Sequence, residues 1–265
     1  MDKTAVVTGG AGGIGKCLVE TLAVAGMAVA FIDVDKPRLA ATEAAMKARG
    51  FDVAGFHGDV ADEASLAAFA AFTLARHPGG IDLLVNNACI SRRGLLSGCS
   101  GDDFNTVLRV GVTAPYLLAR LFLEHFRNGA SIVNIASSRA FMSQRDTESY
   151  TAAKGGIVAL THALAASLAG RVRVNSISPG WIDTGATYDP SYTPQYAEGD
   201  ALQHPSGRVG APEDIARAVL FLADERNGFV NGENLAVDGG MTKLMIYHND
   251  HGWTLKPASE KRAPT

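Results

Sequence analysis

Short runs of β-branched and other apolar residues alternate along the chain with longer Ala- and Leu-rich stretches of helical periodicity. The strand candidates are residues 4–7, 28–32, 53–56, 83–85, 132–135, 172–177 and 234–237. The helical patterns between them cover residues 16–25, 37–49, 64–76, 102–126, 150–168 and 212–223. Because most of the strand candidates are apolar throughout, they are typical of a parallel sheet that is covered by helices on both faces. We therefore expect an α/β fold with a doubly wound, Rossmann-type parallel sheet in three layers.

Glycines cluster directly after the first strand candidate, in the run Thr8-Gly9-Gly10-Ala11-Gly12-Gly13-Ile14-Gly15. Glycine tolerates the positive φ and the close backbone approach of a tight strand-to-helix turn, and the amides that open the next helix can bind a pyrophosphate. Since the chain contains 29 glycines, a tight turn without a ligand is the alternative. The run predicts a dinucleotide site that includes Gly9, Gly13, Ile14 and Gly15.

Composition narrows the class of protein. The chain has 265 residues, 47% of them hydrophobic, which suits one α/β domain with a large core. The chain has 24 Lys and Arg residues and 27 Asp and Glu residues, which gives a net charge of −3. This charge favours neither a nucleic acid nor an anionic membrane as a partner, so we expect the partner to be a small molecule. No apolar segment reaches the roughly 18 uninterrupted residues of a membrane helix.

Cysteine usage and the start of the chain predict a cytoplasmic protein. Cys17, Cys89 and Cys99 are an odd number without Cys-x-x-Cys spacing, which favours reduced thiols. The first strand candidate begins at residue 4, which leaves no room for a secretory signal. No metal site is predicted.

No linker, repeat or low-complexity tract divides the sequence, so residues 1–265 are predicted to form a single domain. Residues 185–207 are predicted to be a substrate loop or lid, because a connection of this length is unusual inside a compact domain. Its Tyr188, Tyr192 and Tyr196 recur every four residues, as on one helical face of a lid or on an apolar stripe packed against the body. Residues 241–265 are predicted to be a polar C-terminal tail, in which Trp253 is a candidate for packing across a subunit interface.

Asp33 ends the second strand candidate, 20 residues beyond Gly13. A carboxylate at this place accepts hydrogen bonds from the hydroxyls of an adenosine ribose and repels the 2′-phosphate of NADP. No basic residue at Gly12 or Val34 offsets that repulsion. The sequence therefore predicts NAD as the cofactor, the alternative being that Asp33 only caps a turn.

Ser137, Tyr150 and Lys154 are candidates for catalysis. Tyr150 and Lys154 stand four residues apart at the start of a helical pattern, hence on one helix face. A phenol has a pKa of about 10, so its use as an acid and base near neutrality requires a nearby positive charge, which Lys154 can supply. Ser137 follows the strand candidate 132–135, where its hydroxyl can hold a substrate oxygen while hydride moves at a nicotinamide.

Several motifs occur together and in order. They are Thr8-Gly9-x-x-x-Gly13-x-Gly15, Asp59-Val60, Asn86-Asn87-Ala88, Ser137, Tyr150-x-x-x-Lys154, Pro179-Gly180 with Thr184, and Val237-Asp238-Gly239-Gly240. With them the chain resembles the short-chain dehydrogenase/reductase family, in its short single-domain branch, from Thr8 to Gly240. The resemblance implies an oxidoreductase acting on CH–OH groups, for which Asp33 predicts NAD as the cofactor, and a homodimer or homotetramer. Related enoyl reductases have a longer spacing between Tyr and Lys, which makes that activity less favoured.

The resemblance also implies roles for single residues of the cofactor site. Asp59 and Val60 would flank the adenine, Asn87 would line the groove, and Lys154 would bind the nicotinamide ribose. The nicotinamide would be covered by the segment that contains Pro179, Gly180, Ile182 and Thr184. Each position has a structural alternative: Asp59 as a turn cap, Asn87 as a partner of a neighbouring strand, and Pro179-Gly180 as a strand end.

Two positions depart from the family pattern. Gly111, in Val110-Gly111-Val112, stands where the family has the Asn of its catalytic tetrad, which helps to place a water that connects the Lys to solvent. We expect activity to survive, more slowly, with the Gly111 carbonyl as the remaining water ligand. Cys89 replaces the usual Gly after Asn86-Asn87-Ala88, and we interpret it as a small buried hydrophobe.

Residues that adjoin the motifs are expected to line the substrate pocket. They are Ile90, Ser91, Arg92 and Arg93, the segment 138–144, Trp181 and the three tyrosines of the loop. Arg92, Arg93, Arg139 and Arg145 lead to the hypothesis of a polar or anionic hydroxy substrate, against which stands a solvated or structural role. The sequence thus favours an NAD-dependent enzyme that interconverts a secondary alcohol and a ketone. The alternative is an NAD-binding sensor or scaffold protein with little or no turnover.

Overall fold

The computed structural model describes residues 3–247 and 249–250, and a seven-stranded sheet runs through its centre. The strands are β1 (Thr4–Thr8), β2 (Ala28–Asp33), β3 (Val53–His57), β4 (Ile81–Asn86), β5 (Phe126–Ile135), β6 (Val172–Pro179) and β7 (Asn234–Val237). Their order is β3-β2-β1-β4-β5-β6-β7, and every neighbouring pair is parallel. This topology confirms the predicted doubly wound α/β fold.

Helices cover both faces of the sheet. They are α1 (Gly13–Val24), α2 (Lys36–Ala48), α3 (Glu63–Arg76), α4 (Gly101–Leu108), α5 (Ala114–Leu121), α6 (Glu148–Ser167), α7 (Gly185–Tyr188), α8 (Glu198–Leu202) and α9 (Pro212–Ala223). One core cluster joins the sheet to α1, α2 and α9, and a second joins it to α3, α5 and α6. Successive residues of a strand belong to opposite clusters, as Val6 and Val7 of β1 do, which is why the strands are apolar throughout.

The carboxyl ends of the parallel strands meet at one edge of the sheet. Asp33, Asn86 and Ile135 end β2, β4 and β5 at this edge. The connections from β1 and from β4 leave in opposite directions, so a crevice opens between these two central strands, the place where doubly wound sheets bind ligands.

The single helix predicted over residues 102–126 is wrong, because the segment is interrupted. It divides into α4, a π-helical turn over Arg109–Thr113, and α5, and Phe126 already belongs to β5. Pro115 explains the interruption: it has no N–H to donate to the carbonyl of Gly111 four residues earlier, and the Ala114 N–H reaches back five residues to Arg109.

The segment 185–207 also differs from its prediction. It contains α7 and α8, and of its three tyrosines only Tyr188 lies in a helix, so the expected helical face of Tyr188, Tyr192 and Tyr196 is wrong. Of the predicted tail, Met241–Lys243 forms a 3₁₀ turn. Trp253 lies outside the described residues. In the part of the chain that the structure describes, no helix is long and apolar enough to cross a membrane.

Candidate active site

Two adjoining cavities open at the carboxyl edge of the sheet. The larger has a volume of about 910 Å³ and the smaller about 500 Å³. Ile14, Asn87, Cys89 and Thr184 line both, so the two spaces meet at these four residues. We call the smaller space, which runs along the glycine-rich turn, the dinucleotide groove, and the larger one the substrate cleft.

The glycine-rich turn forms the wall of the dinucleotide groove. Gly9 and Gly13 have φ angles of +67° and +55°, which a side chain would strain. Gly13 is the first residue of α1, so its amide and those of Ile14 and Gly15 have no carbonyl partner within the helix. The sequence predicted an anion-binding site at these amides, and Gly9, Gly13 and Ile14 line the groove.

α7 folds onto this turn. The Gly13 amide donates to the Thr187 hydroxyl at 2.8 Å, and the Tyr188 ring lies so close that a Cβ on Gly12 would be 2.4 Å from its Cε1. The Arg38 guanidinium lies 4.9 Å from the centre of the Tyr188 ring. A phosphate that accepts from the Gly13 amide would therefore replace Thr187 as its partner.

Sequence reasoning missed this arrangement, because it assigned Tyr188 to the substrate side. Tyr188 and Arg38 line the dinucleotide groove instead. Nothing in the local pattern links α7 to residues about 175 positions earlier in the chain, since only the tertiary fold brings them together.

Asp33, Asp59 and Val60 also line the groove, but not the substrate cleft. The two Asp33 carboxylate oxygens accept from the backbone amides of Ala11 at 2.9 Å and Asp35 at 2.9 Å. The Asp59 carboxylate accepts from the Ala61 amide at 2.8 Å. Both aspartates thus cap turns, as the structural alternatives predicted, and also line the groove.

Asn87 ties the glycine-rich turn to β4. Its side-chain amide donates to the carbonyls of Thr8 at 3.0 Å and Gly9 at 3.2 Å, while it lines both spaces. The remaining residues predicted near the nicotinamide line the substrate cleft, namely Pro179, Gly180, Ile182 and Thr184.

The three candidate catalytic residues also line the substrate cleft. Ser137 follows the end of β5 by two residues and is mostly buried, with its hydroxyl accepting from the Arg139 amide at 3.2 Å. Tyr150 and Lys154 lie in the first turns of α6. The Lys154 ammonium is buried, donates to the Ile135 carbonyl at 2.7 Å, and lies 5.5 Å from the centre of the Tyr150 ring.

Burial, with a smaller effect of the charge of Cys89, raises the pKa of Tyr150 to about 12. A hydrogen bond with Ser137 and the positive charge of Arg139 oppose this rise without cancelling it. Burial also lowers the pKa of Lys154. The net shift of the Tyr150 pKa is opposite to the prediction, because both groups are removed from water. With this pKa, Tyr150 is a neutral phenol near pH 7, and hence a proton donor.

Cys89 is exposed, so its interpretation as a buried hydrophobe is wrong. It stands where the dinucleotide groove meets the substrate cleft. A short, weakly polar side chain at this junction is compatible with ligands in both spaces.

The substrate side of the cleft contains only some of the expected residues. Ser91, Ser138, Arg139, Gln144 and Trp181 line it, whereas Ile90 lines the dinucleotide groove. Arg92 pairs with Asp103 at 3.8 Å, outside the cleft, and of the four arginines of the hypothesis Arg139 alone is a lining residue within the described chain. Asp200 and Gln203, which belong to the predicted substrate loop 185–207, also line the cleft. The sequence reasoning missed Thr147 and Met241.

Gly111 lies in the π-helical turn against α6. A Cβ on this glycine would be 2.9 Å from the Cβ of Ala153, the residue before Lys154. Because Pro115 cannot donate to it, the Gly111 carbonyl has no α-helical partner four residues on. That this carbonyl holds a water stays a prediction.

We expect Gly111→Asn to lower the free energy of unfolding by about 1–3 kcal/mol, because the new side chain meets the rigid Ala153 Cβ. Turnover should not rise. Thermal unfolding and steady-state kinetics check both points, and the double variant with Ala153→Gly should recover stability. A large gain in turnover at unchanged stability would show instead that the amide completes a proton relay that the natural chain lacks.

Comparison with known proteins places the chain in a family. A family model described as "Enoyl-(Acyl carrier protein) reductase" matches residues 9–242. An uncharacterized oxidoreductase of Thermotoga maritima is 45% identical over 251 residues, covering 92% of this chain and 98% of its own length. The structure of an apo SCOR enzyme from Clostridium thermocellum is 44% identical, with a TM-score of 0.87 over 97% of this chain and 100% of that one.

A third similar protein was solved with a cofactor. It is a blue fluorescent protein from a metagenomic library in complex with NADPH, 31% identical, with a TM-score of 0.81 over 90% of this chain and 97% of its own. These matches and the Rossmann-type fold define an oxidoreductase of a family that binds nicotinamide cofactors, and they support an activity on alcohol and ketone groups. The chain belongs to the short-chain dehydrogenase/reductase family.

Proposed function

We propose that this protein is an NAD-dependent dehydrogenase that interconverts a secondary alcohol and a ketone, with Tyr150 as its acid and base. One observation carries the proposal: Ser137, Tyr150 and Lys154 line one cleft, and that cleft adjoins a groove lined by a glycine-rich turn and by the carboxylate of Asp33. Residues 1–265 would form one NAD-binding unit.

The groove fits a dinucleotide in shape and in chemistry. Gly9, Gly13, Ile14 and Gly15 would face the pyrophosphate, and a Cβ on Gly12 or Gly13 would intrude on the space that Tyr188 now partly fills. Asp33 would hold the adenosine ribose, and Asp59 and Val60 the adenine. The nicotinamide end would be held by Asn87, Tyr150, Lys154, Pro179, Gly180, Ile182 and Thr184. Bound NAD supplies a ring that accepts or returns a hydride.

The protein groups would orient the substrate and move its proton. The Ser137 hydroxyl would hold the reacting oxygen, and Tyr150 would give a proton to it in ketone reduction or take one in alcohol oxidation. Lys154, fixed by the Ile135 carbonyl, would place a positive charge beside the phenol.

Asp33 is the basis for proposing NAD rather than NADP, although one similar protein binds NADPH. We expect the wild type to bind NAD⁺ more tightly than NADP⁺, and Asp33→Ala to reduce that ratio about tenfold or more, because the variant loses charged hydrogen bonds to the ribose and the repulsion of a 2′-phosphate. Titration calorimetry with both cofactors measures the ratio.

Asp62→Ala is the matched control for Asp33→Ala. Asp62 caps α3 through the Ala64 and Ser65 amides and does not line either space, so its loss should lower stability without altering the cofactor ratio. An unchanged ratio in Asp33→Ala would remove this residue from cofactor discrimination and leave it as a turn cap.

The function itself is tested by incubating the protein with NAD⁺ and a panel of secondary alcohols, among them polyols, sugars, hydroxy acids and steroids, and following the absorbance of reduced nicotinamide. Turnover of at least one alcohol, lost in Tyr150→Phe, supports the proposal. Tight NAD binding without turnover of any panel member would favour the second candidate, an NAD-binding sensor or scaffold, for which Gly111 at the tetrad position and the raised pKa of Tyr150 are the supporting observations.

We also propose that the protein forms a homodimer or homotetramer and acts in the cytoplasm. Family resemblance supports the assembly, and the unpaired state of Cys17, Cys89 and Cys99 fits a reducing compartment.

A further inference from the structure

We propose that Arg139 binds a carboxylate of the substrate, so that the alcohol or ketone that reacts at Tyr150 belongs to a hydroxy acid or a keto acid. This inference rests on the proposed function and names its substrate class.

Arg139 reaches the cleft next to the reacting groups. It lies two residues after Ser137, and its own backbone amide donates to the Ser137 hydroxyl at 3.2 Å. Its positive charge lowers the pKa of Tyr150, so the guanidinium lies within electrostatic range of the phenol. An anion held by Arg139 would therefore stand near the substrate oxygen at Ser137.

Neutral partners hold the Arg139 guanidinium in place. One terminal nitrogen donates to the Thr147 hydroxyl at 3.1 Å, and the other donates to the Gln144 side-chain carbonyl. A guanidinium has five N–H donors, so these two bonds leave three for a ligand. Both neighbours also line the cleft, and they hold the charged fork without neutralising it.

No carboxylate pairs with Arg139 within residues 3–247 and 249–250, whereas Arg92, Arg208 and Arg226 all have aspartate partners. The charged residues that line the cleft are Arg139, the buried Lys154 and Asp200, whose carboxylate accepts from the Ala197 amide at 2.7 Å. The cleft therefore has an excess of positive charge, and a half-buried guanidinium without a counterion favours an anionic ligand.

The experiment compares two probes of equal size that differ in charge: 3-hydroxybutyrate and its primary amide, 3-hydroxybutyramide. The specificity constant kcat/KM for each is measured with NAD⁺ in the wild type, Arg139→Gln, Arg139→Lys and Arg92→Gln. Arg92 is the matched control, because it is an exposed arginine of the same region outside the cleft. Thermal unfolding of each variant accompanies the kinetics.

In Arg139→Gln we expect kcat/KM for the carboxylate to fall about tenfold to a hundredfold, with a change below about threefold for the amide. Arg139→Lys should recover part of the loss, since it keeps the charge without the planar fork. Arg92→Gln should change neither value.

An unchanged ratio of the two specificity constants in Arg139→Gln, with the amide still oxidised, overturns the inference while the proposed function stands. An equal loss for both probes with a lower unfolding temperature also overturns it, because Arg139 would then only support the loop. If the wild type oxidises neither probe, quenching of tryptophan fluorescence in the NAD-loaded protein decides. Tighter binding of the carboxylate in wild type than in Arg139→Gln supports the inference, and equal binding refutes it.

Discussion

Tyr150→Phe is expected to lower kcat for both alcohol oxidation and ketone reduction by about a thousandfold, within the range that a positioned acid or base contributes. The phenol is the titratable hydroxyl that lines the cleft beside Ser137 and Lys154, and phenylalanine keeps its ring in place. Steady-state kinetics in both directions measure the loss. Calorimetric NAD⁺ affinity and the unfolding temperature should stay close to the wild type.

Tyr192→Phe serves as the control for the Tyr150 variant. The Tyr192 hydroxyl also makes a hydrogen bond, to Asp183 at 3.2 Å, but this tyrosine does not line either space. Its loss should leave kcat within about twofold, as for a surface substitution away from the chemistry. Full activity of Tyr150→Phe on a proven substrate would refute the proposed mechanism.

Because the pKa of Tyr150 is raised, the rates of alcohol oxidation and of ketone reduction should depend differently on pH. Below a pKa of about 12, the fraction of phenolate grows about tenfold for each pH unit. The rate of alcohol oxidation, which needs the base, should therefore rise with pH between about 7 and 10, whereas ketone reduction, which needs the neutral phenol, should not.

Gly15→Ala is expected to weaken cofactor binding strongly and to destabilise the fold. A Cβ at this position would lie 1.8 Å from the Gly9 carbonyl oxygen and 2.6 Å from the Asn87 side-chain nitrogen, so the turn must open. We expect at least a hundredfold weaker NAD⁺ binding and a loss of about 3 kcal/mol or more in the free energy of unfolding, as for a severe overpacking. Calorimetry and denaturant titration measure the two effects.

Gly155→Ala serves as the control for Gly15→Ala, because the structure leaves space for a side chain at Gly155. Gly155 lies inside α6, and a Cβ at this position would meet no atom within 4 Å beyond the adjoining backbone of its own helix. The substitution should therefore add about 1 kcal/mol to the free energy of unfolding.

If Gly15→Ala instead keeps the stability and the NAD⁺ affinity of the wild type, the glycine-rich turn can widen freely. That result would contradict the role of this turn as a rigid phosphate-binding site.

Some parts of the candidate site could be predicted because they depend on neighbours in sequence. The Tyr150 and Lys154 pair follows from helical spacing, and the start of α1 at Gly13 follows from glycines after a strand. Asp33 at the groove follows from its place at the end of β2. The break of the helix at Gly111 also has a local cause, since Pro115 stands four residues on, but apolar periodicity alone does not reveal it.

Other parts depend on residues that are distant in sequence. The contact of Thr187 with the Gly13 amide joins segments about 175 positions apart, and the exposure of Cys89 depends on which segments pass over it. The pKa of Tyr150 follows from its removal from water. The sequence gives no reason to separate Arg139 from Arg92, Arg93 and Arg145, whereas in the structure Arg139 is the one that lines the cleft within the described chain.

The sequence by itself determined the parallel sheet, the glycine-rich turn and the identity of the residues that can carry out the chemistry, because strand and helix periodicity and glycine conformation act over a few residues. Only the tertiary structure decided which side chains face the two spaces, which of their hydrogen-bond donors stay available and how burial shifts their protonation. Those properties arise from the solvent that packing excludes, and packing is set by contacts between distant segments.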